Sequence, residues 1–164
     1  MPYILGTDFR FKTELQYDGT LDANGVLKGN LYIKGYGDPT LGSPEMENSL
    51  PLAALLSTWV EAVKKAGIRQ IDGKIVGDAS YFKGGESGDT WQWYDLGNYY
   101  AAGIWGLNIH ENYYYLHFQQ VNQLGDTPPI AKIDPMLPNL YLIQRRCSPS
   151  EKGRWRPNAY HSIG

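Results

Sequence analysis

One stretch of this chain has an unambiguous period. Between Pro51 and Ala66 the apolar residues Leu52, Leu55, Leu56, Trp59, Val60 and Val63 recur at three- and four-residue spacings, and Gly67 follows as a stop. The pattern predicts a long amphipathic helix that turns one stripe to a core and leaves Glu61 and Lys65 as an exposed i,i+4 pair. Around it the chain is cut into short pieces by glycine and proline. Gly19 and Asp22-Ala23-Asn24-Gly25 read as turns before a strand from Val26 to Lys34, with Leu31 and Ile33 on one face. After the helix, Ile68, Ile71, Ile75 and Val76 make a short extended segment, interrupted at Asp72-Gly73 and ending at Gly77-Asp78. A helix between strands predicts a βαβ-like unit in an α+β domain with a mixed sheet.

The second half has a different texture. From Lys83 to Asn98 the chain is rich in glycine and aromatic residues without helical or strand period, which predicts a long, ordered surface loop. Tyr113 to Phe118 alternates as a strand. Four prolines between Asn122 and Asn139 mark a composition break, and Leu140 to Arg146 reads as a further strand. The break divides the chain into a region over 1–121 and a proline-interrupted, β-rich segment over 122–164.

With 164 residues the chain is long enough to bury roughly 70% of its unfolded surface, so a hydrophobic core is expected. Residues 1–140 hold 10 basic and 16 acidic groups, while 141–164 hold 5 basic and 1 acidic. The cluster of Arg145, Arg146, Lys152, Arg154 and Arg156 with Trp155 and Tyr160 could form a polyanion patch, but a solvated strand end whose charges balance the acidic remainder is the simpler reading. No nucleic-acid partner is expected. Cys147 stands alone, so neither an intrachain disulfide nor a thiol-rich metal site can be built. The N-terminus lacks the basic and apolar regions of a signal peptide, and no run approaches the roughly 18 apolar residues of a membrane span.

Each candidate for chemistry has a plainer explanation. Ser80-Tyr81-Phe82-Lys83 fits Ser-x-x-Lys, in which one helical turn brings an amine to a hydroxyl. Gly77 before it and Gly84-Gly85 after it deny that helix, so Ser80 is not expected to be a nucleophile. Gly35-x-Gly37 lacks a third glycine and reads as a tight turn. His110, His117 and His161 have no ligand spacing, so no metal is expected, nor any cofactor. Asp38, Asp78 and Asp95 each lie in loops where an Asx turn is the simplest role.

Several segments taken in order carry a resemblance. They are Leu5-Gly6-Thr7-Asp8-Phe9-Arg10-Phe11, Gly25 to Leu31, Gly37-Asp38-Pro39-Thr40-Leu41, Ile71-Asp72-Gly73-Lys74-Ile75, Gly77 to Phe82, Trp91-Gln92-Trp93-Tyr94-Asp95, and Tyr100 through Asn112. Together they resemble the large D-alanyl-D-alanine carboxypeptidases of the low-molecular-mass class C penicillin-binding proteins. The similarity is dense from Leu5 to Asn112 and sparse beyond.

The resemblance implies an exported serine hydrolase acting on peptidoglycan stem peptides through Ser-x-x-Lys, Ser-x-Asn and Lys-Thr-Gly motifs. Those motifs are expected upstream of Met1 and after Gly164; Lys12-Thr13 is followed by Glu14, not glycine. The chain then corresponds to the accessory insertion, with no catalytic residue of its own and a catalytic domain of the same polypeptide as its partner. The resemblance further places Asp95 as the carboxylate that meets the substrate's free amine, on a loop braced by Trp91 and Trp93. Exposed strand edges imply self-association. An alternative is a stand-alone cell-wall peptide or glycan binding module using Trp91 to Tyr100 and the basic tail.

Overall fold

The computed structural model describes residues 6–84, 88, 90–123 and 126–142. The chain forms two compact units, Met1–Asn112 and Tyr113–Gly164. In the first, β1 (Thr13–Tyr17), β2 (Thr20–Leu21), β3 (Val26–Lys28) and β4 (Leu31–Gly35) lead to helix α1 (Leu52–Lys65), followed by β5 (Gln70–Asp72) and β6 (Ile75–Asp78). Two three-stranded sheets result, in the orders β1-β4-β6 and β2-β3-β5. β1 runs antiparallel to β4 with Leu15 opposite Ile33, and β4 runs parallel to β6 with Leu31 opposite Ile75. β2 is antiparallel to β3, and β3 is parallel to β5 with Leu27 opposite Ile71. The parallel pairs flanking α1 are the βαβ connection that the sequence predicts.

Where one strand from Val26 to Lys34 was expected, two are found, because all three passages of chain break at one level. Asp18-Gly19, Gly29-Asn30 and Gly73-Lys74 separate the sheets. Each glycine permits an approach that a side chain would block: a Cβ on Gly73 would lie 1.9 Å from the Gly29 carbonyl oxygen.

Helix α1 ends at a Schellman turn. The Gly67 amide donates to the Lys64 carbonyl, the Ile68 amide to that of Val63, and Gly67 takes φ +86. Ile68 is buried there, as are Leu55 on the helix, Leu27 on β3 and Leu31 on β4. The apolar stripe is nevertheless wider than the surface that covers it. Leu55 is buried and Leu52, Trp59 and Val63 half-buried, but Leu56 and Val60 are exposed. The expectation that the whole stripe faces a core is thus corrected, and no ion pair joins Glu61 to Lys65 among the described residues.

The second unit contains β7 (Tyr115–Phe118) and β8 (Ile130–Asp134), paired antiparallel with Tyr115 opposite Asp134 and a register shift between His117 and Phe118. This pairing joins residues on both sides of the composition break at 121/122, so the compact units divide earlier, after Asn112. Leu140 to Leu142 form no strand; the rest of the expected strand, Cys147 and the basic aromatic cluster lie outside the described residues. No helix among the described residues is long and apolar enough to cross a membrane.

Candidate functional site

The chain leaves β6 through a turn built on Asp78, whose Oδ1 accepts the amide of Ser80 at 3.0 Å and its hydroxyl at 2.6 Å. These bonds, with Lys34 Nζ at 3.8 Å, hold Asp78 below the usual carboxylate range. Ser80 is thus a turn residue. No helix spans Ser80 to Lys83, so the geometry that Ser-x-x-Lys chemistry needs is absent. Asp38 makes a matching turn, its Oδ1 accepting the Thr40 amide at 2.9 Å and hydroxyl at 2.8 Å. Gly37, at φ +85, is filled in by the Phe82 ring, which a Cβ there would meet at 2.5 Å. That packing explains Gly35-x-Gly37 as a turn rather than a phosphate cradle.

Beyond Ser80 the chain makes an excursion and returns at Gly106, where the Gly106 amide donates to Ala79, the Gly37 amide donates to Gly106, and Leu107 bridges Asp38. Two short 3₁₀ turns, Trp93–Asp95 and Tyr99–Ala101, shape the described part of the excursion. Asp95 closes the first: its amide donates to Gln92, and its carbonyl accepts the backbone amide of Asn98 at 3.1 Å and the Asn98 side chain at 3.0 Å. Gly97 supplies the left-handed step between the turns at φ +90. Ala101, buried, anchors the second turn.

The Asp95 side chain is half-buried and makes no Asx turn. Its Oδ1 accepts the Tyr100 hydroxyl at 3.1 Å, and that bond raises the Tyr100 phenol above its ordinary value. Tyr100 was missed by sequence reasoning because nothing in a five-residue spacing announces a contact made across two turns. The expected brace differs as well. Trp93 is 85% exposed, whereas Trp91 is half-buried against Gly88. No ion pair to Asp95 is present among the described residues. One sequence signal anticipates this: no Lys or Arg occurs between Lys83 and Lys132. A carboxylate held on one oxygen, with aromatic rings about it in sequence and no resident cation, suits a cationic ligand group.

Among the described residues no three His, Cys, Asp or Glu side chains are grouped to hold an ion. His110 and His117 lie in different compact units, and His161 is outside the described residues. The basic tail's share in any composite surface is likewise outside them.

The fold is mixed α+β, with small sheets and a single α-helix among the described residues. Residues 3–150 match the model of the D-Ala-D-Ala carboxypeptidase 3 (S13) family, and the chain belongs to that family. It is 32% identical over 140 residues to D-alanyl-D-alanine carboxypeptidase DacB of Haemophilus influenzae, a match covering 85% of this chain and 26% of that protein. The crystal structure of penicillin binding protein 4 (dacB) from Haemophilus influenzae aligns with a TM-score of 0.56 at 32% identity, covering 68% of this chain and 22% of that one. The chain thus spans about a quarter of the length of these relatives.

Proposed function

We propose that this chain is the accessory segment of an exported, penicillin-binding serine D-Ala-D-Ala carboxypeptidase or endopeptidase that acts on peptidoglycan stem peptides, and that it positions substrate rather than performing chemistry. In the intact enzyme a serine outside these residues attacks the D-Ala-D-Ala carbonyl and expels the terminal D-Ala, and water then hydrolyses the acyl-enzyme to free the shortened peptide and the serine. Asp95 receives the free ammonium of a diaminopimelate side chain.

The observation that carries this reading is the state of Asp95: half-buried, held through Oδ1 by Tyr100, and without an ion pair among the described residues. A charge-assisted bond from an ammonium to its other oxygen adds directly to that arrangement. In a full-length enzyme carrying this segment, Asp95→Ala is expected to lower the preference for diaminopimelate peptides over N-acetylated ones by about tenfold to a hundredfold, the worth of one hydrogen bond to a charged group. An unchanged preference sinks the role of Asp95. Incubated with benzylpenicillin, the 164-residue chain is expected to show no mass adduct; an adduct abolished by Ser80→Ala would overturn its catalytic silence.

A further inference from the structure

The first compact unit ends in an unusual conformation. His110, Glu111 and Asn112 have φ of 53, 56 and 57, three consecutive residues other than glycine in the left-handed region. Asparagine and histidine are enriched in that region but glutamate is not, and three such residues in a row are rare, so the surroundings must hold the turn. They do so from the loop that follows β4. The His110 amide donates to the Leu41 carbonyl at 2.9 Å, the His110 ring nitrogen Nδ1 lies 3.4 Å from the Gly42 carbonyl, and Ser43 donates its hydroxyl to Glu111. Ser43 is 2% exposed, and its oxygen also accepts the amides of Glu45 and Met46.

The strained turn aims one side chain. Asn112 Nδ2 donates to the Gly103 carbonyl at 2.8 Å and to Asn108 Oδ1, while Asn112 Oδ1 accepts the Ile109 amide at 3.3 Å. Asn108 in turn grips Trp105 from both sides, accepting its amide at 3.0 Å and donating to its carbonyl at 2.8 Å. Two side-chain amides therefore hold the backbone of residues 103–109, beside the backbone bonds that tie Gly106 to Ala79 and Gly37 and the bridge from Leu107 to Asp38. Gly103 lies three residues after Tyr100, whose hydroxyl meets Asp95, and the turn Tyr99–Ala101 lies between.

We propose that Asn112 is a positioning residue for the Asp95 site, the left-handed turn being the device that directs its amide onto Gly103 and so fixes the returning limb of the aromatic loop. The inference rests on the Asp95 reading for its functional meaning, but its geometry is testable without a ligand. Breaking the clasp frees residues 99–105 and weakens the Tyr100–Asp95 bond, while the sheets, which share none of these contacts, stay intact.

The test compares the 164-residue chain with Asn112→Asp, which keeps the shape and the left-handed tolerance but removes both donors. Asn112→Gly, which accepts the backbone without strain and has no amide, replaces it if the first variant does not fold. Hydrogen exchange and the titration of Tyr100, labelled at its phenol carbon, are read with Asp95→Ala as reference. The expected result is on the order of tenfold faster exchange at 99–105, a scale set by one lost hydrogen bond. The Tyr100 titration should move toward that of Asp95→Ala, with exchange in β4 and β6 unchanged. A Tyr100 titration that stays at the parent value overturns the proposal, as does faster exchange in β4 and β6 to the same degree. Failure of Asp95→Ala to alter peptide preference in the full-length enzyme overturns the substrate reading instead, and leaves this coupling measurable by itself.

Discussion

Glu14 sits where three side chains converge on one carboxylate. Lys12 Nζ lies at 2.7 Å, the Tyr36 hydroxyl at 2.7 Å and the Gln16 amide at 2.8 Å, and Lys12 also stands 4.4 Å over the Tyr36 ring. The Lys12 bond, then those from Tyr36 and Gln16, bring the Glu14 carboxyl from an ordinary 4.5 down to about 2. A carboxyl depressed in the folded state stabilises it above the unfolded value, and that contribution disappears as pH falls through the folded one. Between pH 4.5 and about 2 the chain should therefore lose thermal stability, and Glu14→Gln should make that limb shallower while leaving the difference between pH 6 and 8 unchanged. Thermal midpoints measured by circular dichroism across that range decide it; equal acid limbs in the two proteins refute it. Part of the slope should survive in the variant, because Asp18 is also held low by the Asn30 amide, the Tyr32 hydroxyl and the Asn30 side chain. None of this was legible in the sequence. Lys12, Glu14 and Gln16 alternate as strand neighbours must, but Tyr36 joins them only through the β1–β4 register. Asp38 and Asp78 were legible, since an Asx turn needs nothing beyond the next two residues. The bond between Asp95 and Tyr100 was not legible, because it is made across two turns.

The elements divide along the same line between local and non-local causes. Helix α1 and its stop could be read from spacing and Gly67, because the Schellman turn closes within the same segment, whereas Ile68 was read as the start of the next strand. β1 could not. Thr13-Glu14-Leu15-Gln16-Tyr17 is short and largely polar, and it is extended because β4 pairs with it along its length. The break between the two sheets is non-local too. Asp18 accepts the Asn30 amide at 2.6 Å and its side chain at 3.1 Å, while Asn30 Oδ1 accepts the Lys74 amide at 3.0 Å, so one asparagine ties three passages of chain at the level where their ladders stop. Gly73 is the tightest point of this seam. Gly73→Ala forces a methyl into the Gly29 backbone and should cost about 1–3 kcal/mol or more. Gly77→Ala on the neighbouring strand meets only the Leu107 side chain at 3.3 Å and should cost well under that. Urea denaturation with an unchanged slope measures both. Equal midpoints for the two variants would show that the seam is not closely packed in solution.

At the scale of the molecule, the surface left open matters more than the core. β6 has β4 on one side and no strand on the other among the described residues, and Ile75 on it is 65% exposed. Leu56 and Val60 add an uncovered part of the helix stripe. An open edge beside exposed apolar side chains can be covered by a second copy or by more of the same polypeptide, and the relatives are about four times as long. Among the described residues of the 164-residue chain no strand covers that edge. The chain should self-associate, with a mass that rises with concentration in size-exclusion light scattering, and Ile75→Lys should return it toward monomer by placing a charge on the edge. A monomer throughout the series would mean that the edge is protected in solution, while association unchanged by Ile75→Lys would move the contact elsewhere, with Leu56 and Val60 the next to test. In a longer protein containing this segment, the same substitution should no longer alter the mass and should instead lower thermal stability, if its own polypeptide covers that edge.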